Sequence, residues 1–393
     1  MRFSSLRFLP CLFRKTRPVQ LTVFLTRKCN ARCSFCFYLS RTSPSEEDAP
    51  ELTLDELSEV SRHTGRLLWL ALSGGEFFLR PDLVEVVEAF YRNSSPSIIL
   101  LPTNGIATDL IVDKVSQIVR RSPRSTVVVK VSVDGQEETH DRLRGVSGAR
   151  RKAMETCREL GRMARCFKNL EVGVNSVFCR ANEAEMEALV REIRALGEVT
   201  THTVSMVRDK VGDPSLPEVD WARYEQVADR LAGDLMESRG RRYRFSGARL
   251  KAAQDVLQRR TIRETARVRR SQGPCYAGKL TLVLTETGDV FPCESFTRKL
   301  GNVRSDGYDL QALVKQKRSL RIIDGINREG CWCTHECYHM MNILFNPRRV
   351  PELAREFLRL PGGPPLFAPR SSFPSPRHRR LVNAAACPPE SRQ

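Results

Sequence analysis

The sequence predicts an α/β fold with a parallel sheet covered by helices, followed by a small cysteine-rich unit. Over roughly the first 210 residues, six short apolar segments alternate with helical patterns. Continuously apolar strands are typical of parallel sheets that are buried on both faces. Clusters of glycine and polar residues follow most of these strands directly, and in parallel barrels that edge carries the chemistry. After residue 207 the alternation stops and cysteines become frequent.

The elements of the alternating region follow from local patterns. Residues 19–26 are β-branched and apolar, which predicts the first strand. Thr53 is placed to cap a helix, residues 67–73 form a second strand, and Pro81 opens a second helix. Further strands are predicted at residues 97–102, 126–133, 170–178 and 199–207, and further helices at residues 109–121, 147–167 and 182–196.

The rest of the chain is less regular. Residues 219–270 predict one or two exposed helices, and residues 279–284 and 289–292 flank Thr287-Gly288 as a small hairpin. The predicted domains are a basic N-terminal extension (1–18), a core (19–215), a basic helical bridge (216–272), a cysteine-rich domain (273–345) and a tail (346–393). The tail is rich in Pro, Arg and Ser and is predicted to be disordered after one short helix.

Composition excludes several classes of protein. A chain of 393 residues with 41% hydrophobic residues is neither wholly disordered nor fibrous, and no apolar run is long enough to span a membrane. The net charge of +18 lies mainly in the two ends and in residues 239–270. The ends lack a recognisable aromatic-containing binding module, so a nucleic-acid partner is not expected. Genome-wide preference for arginine codons explains the same charge without a function.

Thirteen cysteines are many for a chain of this length. They occur in tight clusters, and no long apolar signal peptide precedes them, so metal binding in the cytoplasm is expected rather than a disulfide framework. Five cysteines lie outside the clusters and are assigned no chemistry. Three of these are expected in core elements and two in flexible ends: Cys157, Cys166 and Cys179, then Cys11 and Cys387.

The first cluster directly follows the first predicted strand. Cys29, Cys33 and Cys36 form a C-x3-C-x2-C pattern. Three thiolates from one loop can hold three irons of a cubane cluster and leave the fourth iron open for an amine and a carboxylate. Phe35 is placed to pack over a planar ring. A structural zinc loop is the plainer alternative.

This cluster, Gly74-Gly75-Glu76 after the second strand, and residues 132–135 and 140–145 together closely resemble the radical S-adenosylmethionine (SAM) superfamily. The resemblance covers roughly residues 19–210. It implies a partial (β/α)6 TIM-like barrel around a 4Fe–4S cluster and SAM. It also implies reductive cleavage of SAM, with an electron from a donor such as flavodoxin or ferredoxin, to a 5′-deoxyadenosyl radical that abstracts hydrogen from substrate.

The resemblance assigns roles to matching residues. Gly74 and Gly75 allow backbone to approach the methionyl amino group, and Glu76 accepts from or orients that ammonium. Ser132 matches a residue that binds the SAM ribose or carboxylate, and Arg144 matches an arginine that reaches the carboxylate. Plainer alternatives are a packing residue for the serine and a surface ion pair for the arginine.

Two asparagines keep open interpretations at this point. Asn104 either faces the pocket or only forms an Asn-Gly turn. Asn175, on the fifth strand, points either to the pocket or to the outer layer.

The second cysteine cluster spans the predicted hairpin and the segment after it. Cys275 and Cys293 stand in a C-x12-G-x4-C pattern, and Cys331, Cys333 and Cys337 follow as C-x-C-x3-C. The pattern resembles the SPASM and twitch extensions of radical SAM enzymes. A full SPASM domain has seven cysteines, so five here imply one auxiliary 4Fe–4S cluster, as in a twitch domain.

The ligands of that cluster are not equally clear from the sequence. Cys275, Cys293 and Cys337 are the firmest, and either Cys331 or Cys333 completes the set, with Cys333 favoured. Zinc remains the alternative metal because His335 and His339 lie nearby.

The leading functional hypothesis is a radical SAM oxidoreductase or maturase that oxidises or cross-links a peptide or protein side chain. The basic residues 239–270 would contact an acidic leader peptide. Only about twenty residues precede the first strand, so peptide recognition is expected to need a separate protein. One alternative is a small-molecule dehydrogenase. An alternative of another class is a non-enzymatic iron–sulfur or zinc protein that binds nucleic acid.

Overall fold

The computed structural model describes residues 3–39, 49–208, 210–236 and 247–361. Within these ranges a single sheet forms the centre of the molecule. Its strands are β1 (Gln20–Phe24), β2 (Trp69–Ser73), β3 (Ile98–Thr103), β4 (Thr126–Ser132), β5 (Leu170–Phe178), β6 (Thr201–Met206), β7 (Thr281–Leu284), β8 (Asp289–Phe291) and β9 (Gly301–Asn302).

Helices alternate with the first six strands and then continue in the C-terminal part. They are α1 (Leu54–Thr64), α2 (Leu83–Ser94), α3 (Thr108–Arg121), α4 (Glu137–Arg144), α5 (Ala149–Cys166), α6 (Met186–Ala195), α7 (Trp221–Met236), α8 (Ala248–Val268), α9 (Leu310–Leu313), α10 (Lys317–Arg328), α11 (Glu336–Leu344) and α12 (Val350–Arg359). Short 3-10 helices occupy Ser5–Leu12, Phe77–Leu79 and Pro347–Arg349.

The sheet order is β6-β5-β4-β3-β2-β1-β7-β8-β9. Strands β1 to β6 and β7 run parallel, whereas β8 and β9 are added antiparallel. Valine, leucine and isoleucine side chains of these strands and of the covering helices form one large buried core. The predicted α/β fold with a parallel sheet is confirmed. The predicted hairpin exists as β7–β8, and it extends the central sheet because β7 pairs with β1.

Local capping fixes the first helix as predicted. The Thr53 hydroxyl accepts from the Glu56 amide at 3.2 Å, and the Glu56 carboxylate accepts from the Thr53 amide at 2.9 Å. Arg304 also binds that carboxylate, at 2.7 Å, and this hydrogen bond lowers the pKa of Glu56 to about 2. The start of α1 is therefore tied to the segment that follows β9.

Two expectations about exposure are wrong. The helices of residues 219–270 were expected to be exposed, but α8 buries Ala252, Ala253 and Leu257 against Ile343 and Leu353. The many basic residues of α8 make its sequence look polar on all sides. One face nevertheless carries small apolar residues, and this face packs against the neighbouring helices. Residues 239–246 of the basic segment lie outside the described residues.

The N-terminal extension is also packed rather than flexible. Phe8 and Cys11, on the first 3-10 helix, are buried against Val19, Leu68 and Tyr276. The extension has few apolar residues, so its sequence does not predict packing. These residues are buried because their partners come from distant parts of the chain.

Of the remaining unassigned cysteines, two match the expected core position and one does not. Cys157 and Cys179 are buried, whereas Cys166 is exposed at the end of α5. In the tail, α12 corresponds to the predicted short helix, while residues 362–393, including Cys387, lie outside the described residues. In the described part of the chain, no helix has the length and apolar character needed to span a membrane.

Candidate active site

The loop after β1 carries Cys29, Cys33 and Cys36 at the carboxyl edge of the sheet. Burial raises the pKa of Cys29 and of Cys33, and the neighbouring Cys36 adds to both shifts. The three thiols therefore lie within electrostatic reach of one another. Their ionisation would require compensating positive charge, which a metal cluster or a nearby cation supplies.

Backbone hydrogen bonds join this loop to the end of α4. The amides of Arg32 and Ser34 donate to the carbonyls of Arg144 and Leu143 at 2.8 and 3.0 Å. Gly145 ends α4 with φ +66°, and a Cβ at that position would lie 2.8 Å from the Arg32 carbonyl oxygen. A glycine is required here both by its left-handed conformation and by the close approach of the cysteine loop.

Arg144 is a buried cation beside the cysteine loop. Its Nε and Nη2 donate to Oδ2 of Asp134 at 2.7 and 2.6 Å, and its Nη1 lies 3.6 Å from Sγ of Cys33. Burial lowers the pKa of Arg144, but Asp134 and Cys33 more than reverse that effect, so the net pKa is raised. The alternative of a surface ion pair is wrong, because Asp134 is 0% exposed and Arg144 only 7%.

Two residues beside Arg144 complete this arrangement. The Phe35 ring is buried, and the guanidinium carbon of Arg144 lies 5.0 Å from its centroid. Asp134 also accepts from the Val177 amide at 2.8 Å through Oδ1. Asp134 lies within the motif of residues 132–135, but the sequence assigns it no role, because its pairing with a buried arginine ten residues later is not visible in a linear pattern.

Gly74 and Gly75 lie where the loop after β2 meets the start of the cysteine loop. A Cβ on Gly74 would lie 2.5 Å from the Thr26 carbonyl oxygen, and one on Gly75 would lie 2.3 Å from that of Lys28. The Gly75 amide donates to the Thr26 carbonyl at 2.7 Å. The close packing of the backbone is by itself a sufficient reason for glycine at both positions. Their predicted contact with the methionyl group of SAM stays a prediction.

Glu76 is buried next to the glycines. Its Oε2 accepts from the Thr103 hydroxyl at 2.9 Å and from the Asn104 amide at 2.8 Å. Burial outweighs these hydrogen bonds and raises the pKa of Glu76 to about 7. Asn104 uses its side-chain amide to donate to Asn30 at 2.7 Å, and the same nitrogen lies 4.0 Å from Sγ of Cys29. Asn104 thus contacts the cysteine loop as well as forming its turn.

Ser132 ends β4 and stands in register with Asn175 of β5, which pairs in turn with Thr203 of β6. Asn175 accepts from the Ser205 hydroxyl at 3.3 Å and lines the main cavity. Its side chain therefore points to the pocket, which decides between the two orientations left open by the sequence.

The main cavity has a volume of about 570 Å³. The inner face of the sheet forms one wall, and α7, α8 and α11 form the opposite one. At its upper end lie Arg208, Glu294 and Cys337, where Arg208 pairs with Glu294 and packs 4.5 Å from the Phe37 ring centroid. The cavity therefore reaches from the inner face of the sheet to the second cysteine cluster, of which Cys337 is a lining residue.

The second cysteine cluster gathers around Tyr338. Cys275, Cys293, Cys333 and Cys337 pack in one group with Ala277, Ile326 and Tyr338, whereas Cys331 is exposed. Burial raises the pKa of Cys275 to about 11 and that of Cys333 to about 12.

The donors in both clusters fit iron–sulfur ligation. Cysteine sulfurs are the donor type that such clusters use. His339 is buried and bonded through Nε2 to the Cys333 carbonyl at 2.8 Å. Among the residues with described positions, no three His, Cys, Asp or Glu side chains form a site for a metal ion as they stand.

Comparisons with known proteins relate this part of the chain to a family. Residues 23–193 match the model of the radical SAM superfamily. The chain is 29% identical over 218 residues to pre-heme d1 synthase of Dinoroseobacter shibae, covering 54% of this chain and 50% of that protein. It is 27% identical over 222 residues to the sporulation killing factor maturation protein SkfB of Bacillus subtilis, covering 55% and 50%. The chain thus spans about half the length of these curated relatives.

Solved structures extend the similarity of fold beyond that region. The structure of anSMEcpe with bound AdoMet has a TM-score of 0.55 at 16% identity, covering 87% of this chain and 98% of that one. Streptococcus suis SuiB bound to the precursor peptide SuiA has a TM-score of 0.54 at 13% identity, covering 78% and 67%. At these identities the likeness concerns the fold.

Proposed function

Because residues 23–193 form a radical SAM domain, we propose that this protein is a radical SAM enzyme that modifies a peptide or protein side chain by oxidation or cross-linking. The observation that carries the proposal is the buried group of Cys33, Arg144 and Asp134 at the carboxyl edge of the sheet. It offers a thiolate ligand and a fixed positive charge in direct contact with each other at the cysteine loop.

Each residue of this group has a proposed task. Cys29, Cys33 and Cys36 would hold the 4Fe–4S cluster, and Arg144 would bind the SAM carboxylate. The Glu76 carboxylate would accept a hydrogen bond from the methionyl ammonium. That positive charge would stabilise the ionised form of Glu76, which burial disfavours. When bound, the cluster and SAM supply a carbon radical that removes a hydrogen atom from substrate. Phe35 and the cavity walls would exclude water from that position.

A peptide is the preferred substrate class for two reasons. Among the relatives, SkfB is a maturation protein, and the SuiB structure contains its precursor peptide. The cavity is also large enough for one or two amino-acid residues. The alternative is a small molecule, supported by the similarity to pre-heme d1 synthase.

The first test is chemical analysis of the anaerobically reconstituted protein. We expect about eight irons per chain, as two 4Fe–4S clusters require, and formation of 5′-deoxyadenosine from SAM with dithionite as reductant. Iron, sulfide and zinc are measured in the same sample. Protein that contains zinc, lacks iron after reconstitution and does not cleave SAM would contradict the proposed function.

For the auxiliary cluster we propose the ligands Cys275, Cys293, Cys333 and Cys337. The packing of these four thiols around Tyr338 supports this set, and the exposure of Cys331 argues against it as the fourth ligand. The cluster would lie at the upper end of the cavity, close to the Arg208–Glu294 pair.

A pair of matched variants tests this ligand set. Cys333→Ala is expected to lower the iron content by about four per chain, because a ligand of the second cluster is lost. Cys331→Ala, two residues away, is expected to keep the full iron content. Iron analysis and electron paramagnetic resonance of the reduced proteins measure both outcomes. The reverse pattern would transfer the fourth ligand to Cys331.

A further inference from the structure

The deep end of the main cavity contains a buried lysine. Lys130 lies on β4, two residues before Ser132, and is 9% exposed. Its ammonium donates to the hydroxyls of Thr201 at 2.6 Å and Thr203 at 3.3 Å, both on β6. Its partners there are neutral, so its charge is not balanced by either of them.

Gly173 makes this arrangement possible. Lys130, Gly173 and Thr201 stand in register across β4, β5 and β6. A Cβ on Gly173 would lie 2.6 Å from Nζ of Lys130 and 2.5 Å from Oγ1 of Thr201. The missing side chain therefore lets the lysine cross the middle strand and place its ammonium in the cavity.

A second cation faces Lys130 from α8. Arg259 lines the same cavity, and among the described residues its Nη1 is buried without a hydrogen-bond partner. One and two turns earlier on α8, Asp255 and Lys251 pair with each other. Two other acids line this wall: Asp234 of α7 pairs with Arg194 at 2.6 Å, and Glu336 of α11 lies within electrostatic reach of Arg208.

Cations and anions near Lys130 act on its pKa in opposite directions. Burial lowers the pKa of Lys130 to about 7, and Lys251 and Arg259 act in the same direction, while Asp255 and Glu171 oppose it. Glu171 accepts from the Thr200 hydroxyl at 3.2 Å. Burying cations without an anionic partner is costly, and an anion that fills the cavity would remove much of that cost.

We propose that the deep end of this cavity binds a carboxylate of the substrate, held by Lys130 and Arg259 with the hydroxyls of Thr201 and Thr203 around it. This inference rests on the proposed function, since it treats the cavity as the substrate chamber. A guanidinium and an ammonium suit a carboxylate because both make charge-assisted hydrogen bonds to it. Gly173 is the positioning residue that lets Lys130 reach the site.

The carboxylate can belong to an Asp or Glu side chain of a peptide or to a small acid. In both cases the carboxylate anchors the substrate inside the barrel. The portion of the substrate that lies near Ser132 and Arg208 is then free to react. Part of the basic segment thus faces inward, where it selects an anionic group, rather than outward toward a leader peptide.

The test uses binding of glutarate to the reconstituted protein, measured by saturation-transfer NMR and titration, with glutaramide as the uncharged match. Glutarate is expected to bind and glutaramide is not. Lys130→Met and Arg259→Gln are each expected to weaken glutarate binding by about tenfold or more, as loss of a charge-assisted hydrogen bond implies. Lys152→Met replaces a half-buried lysine on α5 that pairs with Glu155 and does not line the cavity, and this variant is expected to bind glutarate normally.

One further variant and a matched pair of peptides sharpen the result. Gly173→Ala is expected to weaken binding although it removes no charge, and circular dichroism checks that each variant is folded. A capped Ala-Glu-Ala peptide that competes with glutarate, where its Ala-Gln-Ala match does not, assigns the site to peptide carboxylates. If small dicarboxylates compete with glutarate but the capped Ala-Glu-Ala peptide does not, the site is assigned to small acids.

Three outcomes would overturn the inference. These are equal binding of glutaramide, unchanged glutarate binding by both charge variants, and displacement of glutarate by SAM alone, which would assign the cations to the cofactor. SAM cleavage by the wild-type protein is measured separately. Cleavage without glutarate binding contradicts only this inference, whereas glutarate binding without cleavage contradicts only the proposed function.

Discussion

Cys33→Ala is expected to abolish cleavage of SAM and to lower the iron content from about eight to about four per chain. On the proposed assignment, Cys33 supplies one of only three protein ligands to the first cluster, so its loss leaves two thiolates for four irons. It is also the thiol that lies 3.6 Å from Nη1 of Arg144. The readouts are iron and sulfide analysis and the yield of 5′-deoxyadenosine under anaerobic conditions with dithionite.

A cysteine outside the clusters provides the matched control. Cys157→Ala removes a sulfur atom from α5 in the buried core, where burial raises the pKa of the thiol to about 12. This variant is expected to keep both the iron content and SAM cleavage, with some loss of stability from the cavity left behind. If Cys33→Ala retained eight irons and cleaved SAM, the loop after β1 would not hold the catalytic cluster.

The parallel sheet was predictable because each of its strands has a local signal. A segment rich in valine, leucine and phenylalanine predicted a strand at residues 170–178, and β5 occupies Leu170–Phe178. Helix α4 was missed because its sequence, EETHDRLR, offers a single large apolar residue and no helical repeat. It is held by tertiary contacts instead, with Leu143 buried and the backbone of its last turn bonded to the cysteine loop.

The candidate site was only partly predictable for a related reason. The cysteines and the glycines stand directly after strands, so the pattern of strand ends locates them. Lys130 and Thr201 are far apart in the sequence, and only the register of three strands brings them together. The one local signal was Gly173 within an apolar strand, since a glycine there often marks the close approach of another group.

The second large effect is expected at the ion pair behind the cysteine loop. Asp134→Ala is expected to lower the free energy of unfolding of the iron-free protein by about 3–5 kcal/mol, the usual cost of removing one partner of a buried pair. The variant leaves the buried guanidinium of Arg144 without its carboxylate and the Val177 amide without its acceptor. Denaturant unfolding followed by circular dichroism measures this difference.

One variant separates the charge of Asp134 from its hydrogen bonds, and a second, at an exposed position, serves as the control. Asp134→Asn keeps an oxygen for the Val177 amide but loses the negative charge, so an intermediate loss of stability is expected. Asp113→Ala removes an exposed carboxylate from α3, and its effect is expected to stay within about 0.5 kcal/mol.

The double variant Asp134→Ala/Arg144→Met decides whether the unpaired cation causes the loss. If it does, replacing the arginine by an uncharged side chain of similar length restores part of the stability lost in Asp134→Ala, because no buried charge then lacks a partner. The double variant would still lack the positive charge beside Cys33, so SAM binding is expected to remain weak even where folding recovers. Equal stability of Asp134→Ala and the double variant would mean that Asp134 stabilises the fold through the Val177 amide. Arg144 would then be held by the cysteine loop rather than by its ion pair.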